Sequence, residues 1–127
     1  MKRPMRIAAL VLALTAAASC GGAKPERTVP LHLSGYAFND SNPTLVFETG
    51  ERVRFLVRND ETTMVRHNFR IVALDVRCDY ELGPGEERAV AVTMPDTPGV
   101  FPYDCCTHQG MGGSIEVKRR TLLDPTR

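Results

Sequence analysis

An antiparallel all-β sandwich or barrel is the fold class this sequence predicts, on three observations. From Val29 onward apolar and polar residues alternate with period two. The alternating runs are short and end in turn-forming residues, and no apolar stripe of helical period accompanies them. The chain has 127 residues, and subtracting an N-terminal leader leaves roughly 100–110, a normal size for one compact core.

Each strand has its own justification. Val29, Leu31 and Leu33 alternate with Pro30, His32 and Ser34, and a second short run over 44–48 ends at Thr49-Gly50. Val53, Phe55 and Val57 then face one way and Arg52, Arg54 and Arg58 the other, and Asn59-Asp60 closes this half-buried strand. A strand is expected over 65–71, with Val65, His67, Phe69 and Ile71 on one face and Arg66, Asn68 and Arg70 opposite. Gly83-Pro84-Gly85 is a turn before a strand over 88–94, and Pro95 to Gly99 supplies another. Phe101, Tyr103 and Cys105 share one face of the next strand, and Ile115 and Val117 belong to the last. The arginine-rich outer face reads as a solvated surface, with docking to an acidic partner the rarer use. His32 falls on the polar face of the first strand and is expected to be exposed.

The ends read differently. Lys2, Arg3 and Arg6 precede an apolar run over 7–18, the layout of an export signal and too short to span a bilayer. Ala17-Ala18-Ser19-Cys20-Gly21 resembles the lipobox at which bacterial lipoproteins are cleaved and lipidated on the cysteine, with Ala17 in place of the usual Leu. An ordinary signal-peptidase site is the alternative. The expected organisation is a signal peptide over 1–19, a lipid-anchored tether over 20–28, a domain over 29–118 and a loose tail over 119–127. An exported domain is permitted disulfides. The net charge of +1 carries no basic stripe of the kind a nucleic-acid binder shows. Removing 1–19 takes away three cations and no anion, which leaves −2 and no case for electrostatic docking to anionic lipid.

The chemistry concentrates in one loop. Between Tyr103 and Gly113 the chain places Cys105, His108 and Met111 at Cys-x-x-His-x-x-Met spacing, and His67 lies on the core-facing side of an earlier strand. Alone, His67 is a hydrogen-bonded core residue and Met111 a gap-filler. Together, a thiolate, two imidazoles and a weak axial thioether form the ligand set of a mononuclear blue-copper site, with soft sulfur suited to Cu(I) and imidazole to both oxidation states.

At these residues the chain resembles the cupredoxin family, and its ligand loop is most similar to the amicyanin type. His67-Asn68-Phe69, Leu82-Gly83-Pro84-Gly85-Glu86, the approach from Pro98 to Tyr103 and the closing strand from Gly112 to Val117 extend the resemblance over roughly 31–117, most of the mature protein. It implies a Greek-key β-sandwich with one copper ion held by His67, Cys105, His108 and Met111, and Asn68 behind the sulfur. It also implies one-electron transfer, without enzymatic turnover or a small-molecule substrate, between redox proteins met transiently at a membrane surface outside the cytoplasm. Copper delivery by a lipoprotein of the same fold, handling Cu(I) without electron cycling, is the rival.

Cys106 stands where amicyanin-type loops carry a hydroxyl residue. Alternation along the strand and the spacing to His108 both favour Cys105 as the ligand. With Cys20 lipidated, three thiols remain. A Cys78–Cys106 disulfide has precedent by resemblance to the phytocyanins, which carry a bridge close to copper. The alternatives are that Cys78 or Cys106 joins the copper site, or that Cys105 and Cys106 oxidise to one another. Other functions are poorly served. Structural zinc gains nothing from Met111, a cysteine hydrolase lacks a visible substrate pocket, and Cys-x-x-Cys before a helix is absent. Multicopper oxidases and nitrite reductases need clustered histidine pairs, which His32, His67 and His108 cannot supply.

Overall fold

The computed structural model describes residues 26–122. The leader, Cys20 and most of the expected tether lie outside the described residues. Within them the strands are β1 (Arg27–Ser34), β2 (Ala37–Phe38), β3 (Leu45–Glu48), β4 (Arg52–Asn59), β5 (Glu87–Thr93), β6 (Gly99–Asp104) and β7 (Gly112–Lys118). They form a four-stranded sheet in the order β2-β1-β4-β5 and a three-stranded sheet in the order β3-β7-β6. This is a β-sandwich of Greek-key type.

The pairing is mixed rather than wholly antiparallel. β1 lies parallel to β4 and β3 parallel to β7, while β5 and β6 join antiparallel. The cause is connectivity: after β1 and β2 the chain crosses to the opposite sheet as β3 before returning as β4, a detour long enough for parallel neighbours. Strand alternation survives intact. Val53, Phe55 and Val57 are fully buried while Arg52, Arg54 and Arg58 face outward, and Leu31, Leu33, Ile115 and Val117 fill the same interior. Edge-to-face aromatic contacts knit the two sheets together, with Phe47 and Phe55 centred 5.8 Å apart and Phe38 and Tyr103 5.1 Å apart.

Three boundaries depart from expectation. β1 starts at Arg27, so residues 27–28 belong to the domain and not to a tether. Arg27 is held by a 2.7 Å ion pair to Glu51 and stacks 4.5 Å over the Phe47 ring. The segment 65–71 is not a continuous strand. It makes isolated bridges from His67 to Leu82, Arg70 to Asp104 and Ile71 to Val76, because its successive residues meet three different neighbours as the chain crosses the end of the sandwich. His67, Phe69 and Ile71 are nevertheless all fully buried. Finally, β6 stops at Asp104, so Cys105 lies just past the strand, at the mouth of the loop. At the other end β7 stops at Lys118, and the Arg120 amide donates to Thr49 Oγ1.

Residues 35–42 were not foreseen as a structured element. Gly35, Tyr36, Asn39, Asp40 and Asn42 all have positive φ. Asn and Asp tolerate this left-handed region, whereas a bulky tyrosine rarely enters it. On the outer face Arg54, Arg58 and Arg70 are paired with Glu26, Asp60 and Asp104, which reduces the free positive charge available there for docking.

Candidate metal centre

Two approaches deliver the donors to one end of the sandwich. The 65–71 crossover is fixed by reciprocal backbone hydrogen bonds between His67 and Leu82 and between Arg70 and Asp104. The loop after β6 folds back on itself: the Cys105 amide donates to the Met111 carbonyl, and the Met111 amide donates to the His108 carbonyl. A tight loop of this kind needs Gly110, which sits at φ 82°. Gly113 matters for space, since a Cβ there would come within 2.6 Å of the Tyr103 hydroxyl and the Pro43 carbonyl. Those two atoms form the 2.6 Å hydrogen bond that anchors Tyr103 at the base of the loop.

Three of the four expected donors converge. One ligand atom each from His67, Cys105 and His108 lie within 4.8 Å of one another. The two Nδ1 atoms are 3.2 Å apart, and Cys105 Sγ is 3.4 Å from His108 Nδ1. First-row ions such as zinc bind nitrogen at about 2.0–2.1 Å and sulfur at about 2.3 Å, so donors sharing one ion stand roughly 3–4 Å apart. The residues therefore fit a single small metal ion. His67 is fully buried, Cys105 is 3 % exposed, Met111 is 1 % exposed and His108 is partly open to solvent. Burial, and then the neighbouring His67, hold the His108 imidazole below its ordinary pKa, which favours the neutral, metal-binding form.

Asn68 stands behind the sulfur as expected. Its backbone amide points at Cys105 Sγ at 3.5 Å, while its side-chain oxygen accepts from the Cys106 amide at 2.7 Å. That second bond explains why Asn68 is only 2 % exposed, although alternation placed it on the outer face. Thr107 Oγ1 lies 3.3 Å from the same sulfur.

The cysteines divide cleanly. Cys78 and Cys106 form a disulfide with Cα atoms 6.4 Å apart, and Cys105 is the free, buried thiol among the described residues. Cys106 begins on the opposite side of the chain from Cys105, as alternation predicts.

Two participants escaped the sequence. Glu61 Oε1 lies 2.9 Å from His67 Nε2, and Tyr36 packs its ring edge-on against His108 at 4.9 Å. Glu61 follows Asn59-Asp60, which reads as a turn, and only the fold shows that this turn opens toward the histidine. Tyr36 lacked a sequence signal because it lies in the left-handed segment. His32 instead pairs with Asp60 at 2.6 Å, with more than half of its side chain exposed.

No family model and no curated protein matches the sequence. Solved structures do. The copper-containing nitrite reductase of Thermus scotoductus is 27% identical at a TM-score of 0.61, over 77% of this chain and 29% of its own. That of Nitrosomonas europaea is 26% identical at a TM-score of 0.60, over 76% of this chain and 42% of its own. This chain thus spans less than half the length of either enzyme. Auracyanin B matches at near-full length, with 76% of this chain and 91% of its own aligned at 21% identity and a TM-score of 0.61. With this topology, and with a His–Cys–His cluster and Met111 at its loop-bearing end, the chain is a cupredoxin-fold protein.

Proposed function

We propose that this protein is a mononuclear type 1 copper protein that carries single electrons between redox partners. The observation that carries the reading is the convergence of His67 Nδ1, His108 Nδ1 and Cys105 Sγ, with Met111 buried in the same loop. His67, Cys105 and His108 would hold copper in a trigonal set, and Met111 would supply the weak axial thioether. When bound, copper supplies the one-electron couple. The chain's own residues hold the geometry: Asn68 fixes the sulfur and the start of the loop, the Cys78–Cys106 bridge ties the loop to the 75–80 segment, and the two sheets supply rigidity. The partly exposed edge of His108 is the route by which an electron enters and leaves.

Catalytic turnover finds less support. The third histidine of this chain, His32, is engaged with Asp60 on the outer face. Residues 1–19 would direct export, and Cys20 would anchor the domain by lipid at an extracytoplasmic membrane surface, where it would meet redox proteins transiently. No helix among the described residues is long and apolar enough to cross a membrane.

The test is spectroscopic. Reconstitution with Cu(II) should give an intense thiolate-to-copper band and a reversible one-electron wave. Tight Cu(I) binding without either signal would favour copper delivery instead.

A further inference from the structure

We infer that Glu61 is a positioning residue for both imidazoles of the site, for His67 directly and for His108 through Gly35 and Tyr36. The inference rests on the metal-site reading above and adds a residue that reading does not use.

One oxygen does two jobs. Glu61 Oε1 accepts from the Gly35 backbone amide at 2.9 Å and lies 2.9 Å from His67 Nε2. An ionised carboxylate only accepts hydrogen bonds, so His67 Nε2 must carry a proton. A neutral imidazole has one ring proton, which leaves Nδ1 with its lone pair directed at Cys105 and His108. The carboxylate thereby fixes tautomer and ring orientation together. His67 is fully buried, so in the intact site Glu61, and not solvent, is the partner of Nε2.

The other contact reaches His108. Gly35 and Tyr36 have φ of 58° and 60°, a left-handed conformation that a bulky tyrosine rarely adopts without support. The Gly35–Glu61 hydrogen bond anchors that conformation and sets Tyr36 edge-on to His108 at 4.9 Å and to His67 at 6.2 Å. Glu61 is itself held. Its amide donates to Asn59 Oδ1 at 2.9 Å, and the fully buried Asn59 donates to the carbonyls of Val65 and Leu82 at 2.9 and 2.8 Å. With its side chain only 13% exposed, the carboxylate is an ordered acceptor and not a solvated surface charge.

Three variants test this in the protein loaded with zinc for NMR and with copper for voltammetry. Glu61→Gln keeps an acceptor oxygen and removes the charge. Its His67 Nε2–H should remain protected from exchange, while affinity for Cu(II) relative to Cu(I) falls about tenfold, an upward shift of about 59 mV for one electron. Glu61→Ala should add at least tenfold faster exchange of that proton and loss of the Tyr36 ring-current shift on His108. Tyr36→Ala should abolish the ring-current shift and leave the His67 proton protected. Unchanged exchange in Glu61→Ala, or an unchanged potential in Glu61→Gln, overturns the inference. If Glu61→Ala does not fold, Glu61→Gln and Tyr36→Ala decide it, and an unmoved potential or an unmoved His108 shift counts against it. A wild-type protein lacking the copper band defeats the function reading alone, because proton exchange in the zinc form still judges Glu61.

Discussion

The strand-built body of the sandwich and its donor-bearing end are held by different means. In the body, β4 lies between two full-length ladders to β1 and β5, and its buried side chains are apolar apart from Asn59 at the end of the strand. At the donor end, 65–71 has isolated bridges in place of a ladder, and order comes from the buried Asn59 and Asn68, the largely enclosed Glu61 and the Cys78–Cys106 bridge. The body is redundant, since each strand makes many equivalent contacts. The end depends on single atoms. A fold can thus keep its shape while its chemistry is lost, and the two properties can be broken separately.

The largest separation is expected from Cys105→Ser. The thiolate-to-copper band should vanish entirely in absorption spectra, while urea unfolding of the metal-free protein moves by only about 1–2 kcal/mol. Phe55→Ala attacks the other region. It removes a fully buried ring that contacts Phe47 and Phe69, at a cost of about 3–5 kcal/mol, and any molecules that stay folded should still show the copper band. Folded Phe55→Ala molecules that lack the band would mean that the two regions are more tightly coupled than their contacts indicate.

How legible each region was follows from the same contrast. Val53, Phe55 and Val57 against Arg52, Arg54 and Arg58 announce a half-buried strand, because a period of two is the direct imprint of a sheet face. His67, Cys105, His108 and Met111 were legible because side chains of soft donor chemistry are uncommon and their loop spacing is local. The parallel partners of β1 and β3 were not, since pairing direction depends on which sheet the chain enters next. Glu61 and Tyr36 were hidden for a related reason. A carboxylate in a turn and a tyrosine beside a glycine are ordinary in sequence, and only the crossing of 59–67 over the β1–β2 turn brings them to the histidines.

A double Cys78→Ser/Cys106→Ser variant tests how strongly the end is tethered to the body. The bridge spans 28 residues, so its loss should lower stability by about 3–4 kcal/mol in denaturant titrations. The copper band should survive, because the ligand thiol is Cys105. A variant that loses its band while still folded would show the bridge to be part of the donor geometry.

The smallest effect is a pH dependence at the base of the loop. Burial pushes the Tyr103 phenol up to about 12, whereas in the unfolded chain it ionises near 10. The folded state therefore retains a proton that the unfolded state releases, and stability is unaffected below about pH 10. It should fall by about 2–3 kcal/mol as pH rises toward 12, and Tyr103→Phe should remove that part of the slope. A phenolate signal from Tyr103 near pH 10 in the folded protein would show its ring to be less enclosed than the sandwich core around it.

The neighbouring positions of Cys105 and Cys106 also bear on how the protein is made. Cys78, Cys105 and Cys106 can pair in three ways, and only Cys78–Cys106 spares the sulfur that faces the two imidazoles. Folding does the sorting, because Cys105 ends up buried behind Asn68 while Cys106 stays at the surface. A chain oxidised before it folds has no such guide, and any pairing that uses Cys105 is a dead end. Refolding under reducing conditions followed by mild oxidation is therefore the productive order of assembly, with the architecture acting as a template for its own cross-link.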